Sequence, residues 1–109
     1  MTRTNVELLA IWERAADRME RQKRVPRGEF RSPADPNCLC AIACAVAEAR
    51  GDAKGTIDPA AVKGVFSPDP LLAHQRAAIV MYNDDPVHTP KDIARFMRQR
   101  AREWFGATP

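Results

Sequence analysis

Asn37-Cys38-Leu39-Cys40-Ala41-Ile42-Ala43-Cys44-Ala45-Val46-Ala47 runs without a charge in a chain where 28% of residues are charged. At helical spacing it puts apolar or small side chains on every face, and a helix that is apolar all round is a buried one. Asn37 is a suitable N-cap, and the pattern continues to about Arg50 before Gly51 ends it. The stretch therefore predicts the centre of the fold, a helix that the other elements must surround. It carries no signature of an activity.

The elements on either side announce themselves by their ends. Thr4 and Glu7 form a capping box, after which Leu8, Leu9, Trp12, Ala15, Ala16 and Met19 recur at helical spacing to about Lys23. Arg24 to Pro36 contains three prolines and a glycine and reads as a loop. Asp58-Pro59 places a cap before a proline at the first helical position and opens a short helix through Val62 and Phe66, weakened by Gly64. Asp69-Pro70 repeats the signal, with Leu71, Leu72, Ala78, Ile79 and Met81 as the expected core face and an end near Tyr82-Asn83. Thr89-Pro90-Lys91-Asp92 opens the last helix, where Ile93, Phe96, Met97, Ala101 and Trp104 form the expected buried stripe. No segment alternates with period two for long enough to suggest a sheet. The expected fold is all-α, one domain over 1–109, with four main helices and one short one around the Ala/Cys-rich central helix.

At 109 residues the chain buries a single core without needing staples. Three cysteines, with no signal peptide ahead of them, fit a reducing compartment, and no apolar run approaches the roughly 20 residues that span a bilayer. The expectation is a soluble, cytoplasmic protein that does not enter a membrane.

Four motifs in order carry a resemblance. An amphipathic first helix is followed by Arg27-Gly28-Glu29-Phe30, then by Cys38-Leu39-Cys40-Ala41-Ile42-Ala43, and after a varied middle by Tyr82-Asn83-Asp84-Asp85-Pro86 with Thr89 leading the closing helix. This resembles a family of short helical proteins common in actinobacteria and their phages, which pair a Cys-Ala-x-Gly-Ala-like helix with a Trp-Asn-Asp turn. Tyr82 stands where that family usually has Trp, and Ala43 where it usually has Gly; both keep the steric logic. The resemblance implies a helical fold and a phage-linked origin, and it brings no known activity.

Three groups of residues suggest chemistry. Cys38, read as lying at a helix start, would be a nucleophile if His74, His88 or Asp84 deprotonated or oriented it. An apolar setting instead raises a thiol pKa, no nucleophile signature surrounds these cysteines, and packing is the better reading. Cys40 and Cys44 stand one helical turn apart, yet the Cys-x-Cys-x3-Cys spacing matches no common zinc site, so neither metal nor cofactor is expected. The Tyr82 to Pro86 turn concentrates polar groups, but asparagine, aspartate and proline are the residues that close a connection between helices, which is the reading preferred over a ligand site at Asp84 or Asp85.

Charge gives the best functional hint. Six basic residues against two acids lie between Arg18 and Arg31, and five against two between Lys91 and Glu103, so basic charge gathers in two segments of a chain with net charge +3. Lys91, Arg95, Arg98 and Arg102 step by four, three and four along one helix face. Such a stripe, joined by Arg21, Arg24 and Arg27, suits an acidic protein surface first and nucleic-acid phosphates second. The plain alternative is a solvated helix surface. A helix-turn-helix is disfavoured, because the connection from Asp84 to Thr89 is too long and contains a proline. The expectation is a small non-enzymatic accessory protein that binds another macromolecule; a nucleic-acid-binding module and a cysteine-dependent enzyme are the alternatives.

Overall fold

The structure, a computed structural model, describes residues 3–35 and 37–106. The first helix, α1 (Asn5–Arg21), begins where its sequence says it should. The Thr4 hydroxyl accepts from the Glu7 amide at 3.1 Å while the Glu7 carboxylate accepts from the Thr4 amide at 2.9 Å. Those bonds hold the Glu7 carboxyl below the usual carboxylate range, the backbone bond from Thr4 first. Leu8, Ile11, Trp12, Ala15, Ala16 and Met19 form its buried stripe, and Leu9 is only half-buried.

The chain then doubles back before entering α2 (Ala41–Arg50). Arg31 and Leu39 make an isolated antiparallel bridge, flanked by Ser32 N–H to Cys38 O at 3.0 Å and Cys40 N–H to Phe30 O at 2.9 Å. The Gln22 side chain grips the same strand-like piece from the other side. It donates to Leu39 O at 2.8 Å and accepts from Leu39 N–H at 2.9 Å. This extended stretch corrects the expected start of α2. Asn37 is not its cap, because residues 38–40 are held extended by Gln22 and Phe30. Cys40 takes the N-cap position, with its sulfur accepting from the Ala43 amide at 3.5 Å. Cys38 is correspondingly not at a helix start. Pro36, one of the prolines expected in this loop, lies outside the described residues. As expected, α2 is buried on every side from Ala41 to Ala47, and Gly51 ends it in the left-handed conformation at φ 84°.

Asp58 caps the short α3 (Pro59–Lys63), accepting from Ala61 N–H at 2.8 Å. This helix stops before the expected Phe66, and Val65 and Phe66 enter the core from the turn that follows. There Val65 O accepts from the Trp12 indole at 2.7 Å, and the Trp12 and Phe66 rings lie 5.4 Å apart.

The largest correction concerns α4 (Leu71–Asp84). Asp69 does not cap it; Pro70 occupies the N-cap position and no side-chain cap bond forms, since proline has no acceptor to offer. Its buried residues are Gln75, Ile79 and Asn83. Of the expected core face only Ile79 is buried, while Leu71 and Met81 are 54% and 74% exposed. The physical reason is a pair of polar anchors that fix the rotation of the helix. Gln75 accepts from Ser67 N–H and donates to the Ser67 hydroxyl, each at 2.9 Å. Asn83 binds two distant backbone groups, described below.

The last helix, α5 (Pro90–Phe105), opens with the Thr89–Asp92 capping box and buries Ile93, Ala94, Met97, Ala101 and Phe105. Phe96 and Trp104 are half-buried at its edge. The protein is thus an all-α single domain, with α1 and α5 packed along each other and α1, α3, α4 and α5 all touching α2. Its radius of gyration, 12.7 Å, is close to the roughly 13 Å expected for one domain of this length. No described helix is long and apolar enough to cross a membrane. The expected domain ends at 1–2 and 107–109 lie outside the described residues.

Ala45 is fully buried between the surrounding elements, so added volume there has nowhere to go. Ala45→Leu should destabilise the fold by about 1–3 kcal/mol. Chemical denaturation checks this, and a variant as stable as the parent would show that the centre is loosely packed.

Candidate functional site

The stripe of cations along α5 meets a row of acids on α1. Arg98 reaches Asp17 at 2.8 Å and Glu20 at 3.0 Å, and Arg102 lies 3.8 Å from Glu13. Bonding to Asp17 and then Glu20 raises the Arg98 pKa above its ordinary value. Because Arg102 pairs earlier on α1 than Arg98 does, the two helices run antiparallel. Arg100, on the opposite face, is paired with Glu103. The stripe read from the sequence is therefore divided. Its second half is locally neutralised, whereas Lys91 and Arg95 are exposed and make no ion pair among the described residues. Glu20, Lys91, Arg95 and Arg98 line one shallow groove.

The antiparallel arrangement also brings the Lys91 end of α5 toward the carboxyl end of α1, where Arg21 and Arg24 are exposed and likewise form no ion pair among the described residues. Arg27 is placed differently. Its guanidinium donates to the carbonyl oxygens of Asn83, of Asp85 at 2.9 Å and of His88 at 2.6 Å. A half-buried guanidinium closing the carboxyl end of α4 offsets the partial negative charge there. Of the seven residues singled out by sequence, Lys91, Arg95, Arg21 and Arg24 are exposed and form no ion pair among the described residues. Arg98 and Arg102 stand on the same side with acid partners, and Arg27 turns inward.

The Tyr82 to Pro86 turn is a junction. Asn83 is 3% exposed; its Oδ1 accepts from Ala41 N–H at 3.0 Å, and its Nδ2 donates to Pro26 O at 3.0 Å and to Asp84 Oδ1 at 2.9 Å. Asp84 Oδ1 also accepts from Gly28 N–H at 2.9 Å. His88 Nδ1 lies 2.8 Å from Tyr82 O. One asparagine thus joins α4 to the first turn of α2 and to the preceding loop. The sequence reading found the capping character of the turn and missed the long-range role of Asn83, for which an apolar-patterned helix gives no signal. Beside the junction lies a cavity of about 280 Å³ whose walls include Gly28, Phe30, Cys40, Ile42, Ile79 and Asn83. Both Nδ2 hydrogens of Asn83 are already engaged, so its side chain has no donor left for an occupant.

The three cysteines are buried and unbridged. Cys38 Sγ donates to Arg24 O at 3.1 Å, and burial pushes its thiol pKa up. Burial raises Cys40 to about 11 and Cys44 further still. Neither histidine hydrogen-bonds a cysteine, the His88 ring being stacked on Tyr82, and Asp84 is engaged with Gly28 and Asn83. No described group of three His, Cys, Asp or Glu residues is arranged to hold a metal.

No family model, curated protein or solved structure matches this chain. The likeness to the actinobacterial and phage family accordingly rests on the quoted motifs alone.

Two outcomes follow from this geometry. A thiol reagent should modify all three cysteines slowly in the native protein and rapidly after unfolding, and the native rate at Cys40 should still be climbing at pH 9 without levelling off, because a thiol raised to about 11 is far from fully ionised there. Rapid native labelling of one cysteine, followed by peptide mass spectrometry, would identify an activated thiolate instead. Asn83→Ala should cost about 1–3 kcal/mol, since it leaves the Ala41 amide and the Pro26 carbonyl without their side-chain partner. Urea denaturation of that variant provides the measurement.

Proposed function

We propose that this is a small non-enzymatic accessory protein of the cytoplasm, phage-linked in origin, that binds an acidic surface of another protein. Lys91 and Arg95, with Arg21 and Arg24 at the adjoining end of α1, would form the contact surface. One observation carries the reading: these cations are exposed and form no ion pair among the described residues, while the next cations along the same helix, Arg98 and Arg102, are paired with acids from α1. Charge that the fold does not use is available to a partner.

The surrounding packing favours recognition. Ile93 and Met97 fix the inner face of α5, and the Arg98 bridge ties its outer edge to α1. A cation held on such a helix loses little entropy on binding, and arginine is enriched among residues that dominate interface energy. Phosphates of a nucleic acid would be attracted by the same charges, but no aromatic residue interleaves with them to stack bases. Buried, protonated thiols lend the cysteine-enzyme reading no support.

The double variant Lys91→Glu/Arg95→Glu separates these readings. It should lose capture of the partner from host lysate and salt-sensitive binding to an acidic polypeptide, with the helical fold retained, because both residues are exposed and neither forms an ion pair or hydrogen bond among the described residues. Arg98→Glu should instead lower the melting temperature, by facing Asp17 and Glu20 with a third acid. Binding of the parent to duplex or single-stranded nucleic acid with a steep salt dependence, and none to the acidic polypeptide, would favour the nucleic-acid module. Capture retained by the folded double variant would place the contact surface elsewhere.

A further inference from the structure

The cavity of about 280 Å³ beside the Asn83 junction has ends of opposite charge. On α4, Arg76, Val80 and Asp84 line it at successive turns, so its cation and one of its acids start from backbone positions about 12 Å apart along the axis. Glu29 adds a second acid at the Asp84 end, since it follows Gly28, whose amide is bonded to Asp84. Between the ends the lining is apolar, from Phe30, Ile42, Ile79 and Val80. Arg76, Glu29 and Asp84 form no ion pair among the described residues. Arg27 is not part of the lining; its guanidinium is bonded to three carbonyl oxygens at the end of α4.

The acidic end is held in place. Asp84 Oδ1 accepts from Gly28 N–H and from Asn83 Nδ2, each at 2.9 Å, which leaves Oδ2 without a hydrogen bond among the described residues. Burial first, and the Asp84 charge with it, raise the pKa of the Cys40 thiol, another wall of the same cavity. At the other end Arg76 is exposed and makes no hydrogen bond among the described residues.

We infer that this cavity binds a small linear zwitterion, an ammonium and a carboxylate joined by a short aliphatic chain. The ammonium takes Asp84 Oδ2 and Glu29, the carboxylate takes the Arg76 guanidinium, and the chain lies against Ile42, Ile79 and Val80. Charge decides the class. A plain carboxylate gains Arg76 but brings its charge toward two acids, and a plain amine leaves Arg76 unused. A ligand with both signs, separated by an apolar middle, matches the whole lining. The guanidinium binds a carboxylate through two parallel hydrogen bonds, and its long side chain shortens the span that the aliphatic chain must cross. Ligand cavities are commonly about 300–1,000 Å³, so this one suits a small molecule. None of these residues belongs to the basic surface of Lys91, Arg95, Arg21 and Arg24, so the two sites are tested independently.

Methyl NMR of isoleucine-labelled protein, titrated with ε-aminocaproate, tests the site. The Ile42 and Ile79 methyl signals should shift saturably, and more than those of Ile11 and Ile93. Pentylamine and caproate, which each keep one of the two charges, should bind at least about tenfold more weakly, as should the shorter γ-aminobutyrate. Arg76→Gln should bring ε-aminocaproate to the affinity of pentylamine and leave pentylamine itself unchanged. Glu29→Gln should weaken ε-aminocaproate and pentylamine but not caproate. Both substituted positions are exposed and without ion pairs among the described residues, so circular dichroism should show the fold retained. Absence of shifts at Ile42 and Ile79 at tens of millimolar ε-aminocaproate would overturn the inference. So would pentylamine or caproate binding as tightly as ε-aminocaproate, or an affinity that neither substitution changes.

Discussion

A ten-residue helix whose first charge is Glu48 has no face to give to water, so the rest of the chain has to supply walls around it. α1, α3, α4 and α5 all touch α2, and the small side chains of Ala41, Ala43, Ala45 and Ala47 let them approach closely. The amino end of this helix is the difficult part, because its free amides are buried with it. The Cys40 sulfur accepts from Ala43 and the Asn83 side chain accepts from Ala41. Both solutions draw on poorly charged groups, which suits a dry centre. Burial also outweighs the helix end's preference for the anion, so the Cys40 thiol pKa is raised there.

Around that centre the polar contacts set rotation and spacing. Gln75 and Asn83 turn α4 so that its buried stripe is narrow and largely polar, with Leu71 and Met81 left on the outside. Arg27 closes the far end of the same helix through three carbonyl oxygens. Gln22 holds the extended entry into α2. These side chains lie in or beside loops, yet they determine which face each helix shows to solvent.

The α1–α5 pair shows the division between structural and available charge. Glu13, Asp17 and Glu20 follow one row of α1 and meet Arg102 and Arg98 across the antiparallel contact. Partly exposed pairs of this kind contribute modestly to stability, in the range of about 0–1 kcal/mol, and their larger effect is to fix which cations remain open. Arg18 is similarly drawn to Glu48, while Arg21, Arg24, Lys91 and Arg95 are exposed and form no ion pair among the described residues. The proposed contact surface thus comes from subtraction across two helices.

The sequence by itself determined the all-α class, the buried α2, the starts of α1 and α5 and the proline-opened α3, because hydrophobic period and capping are properties of residues a few positions apart. It also marked every cation of the candidate surface. Only the tertiary structure decided which of them form ion pairs, since Arg98 finds its acids 78 and 81 residues away. Tertiary contacts likewise moved the start of α2 from Asn37 to Cys40, and placed Leu71 and Met81 outside a helix whose pattern suggested they were core. In each case a long-range hydrogen bond, from Gln22 or from Gln75 and Asn83, overrode a local preference, and nothing in a short window of sequence encodes the partner of such a bond.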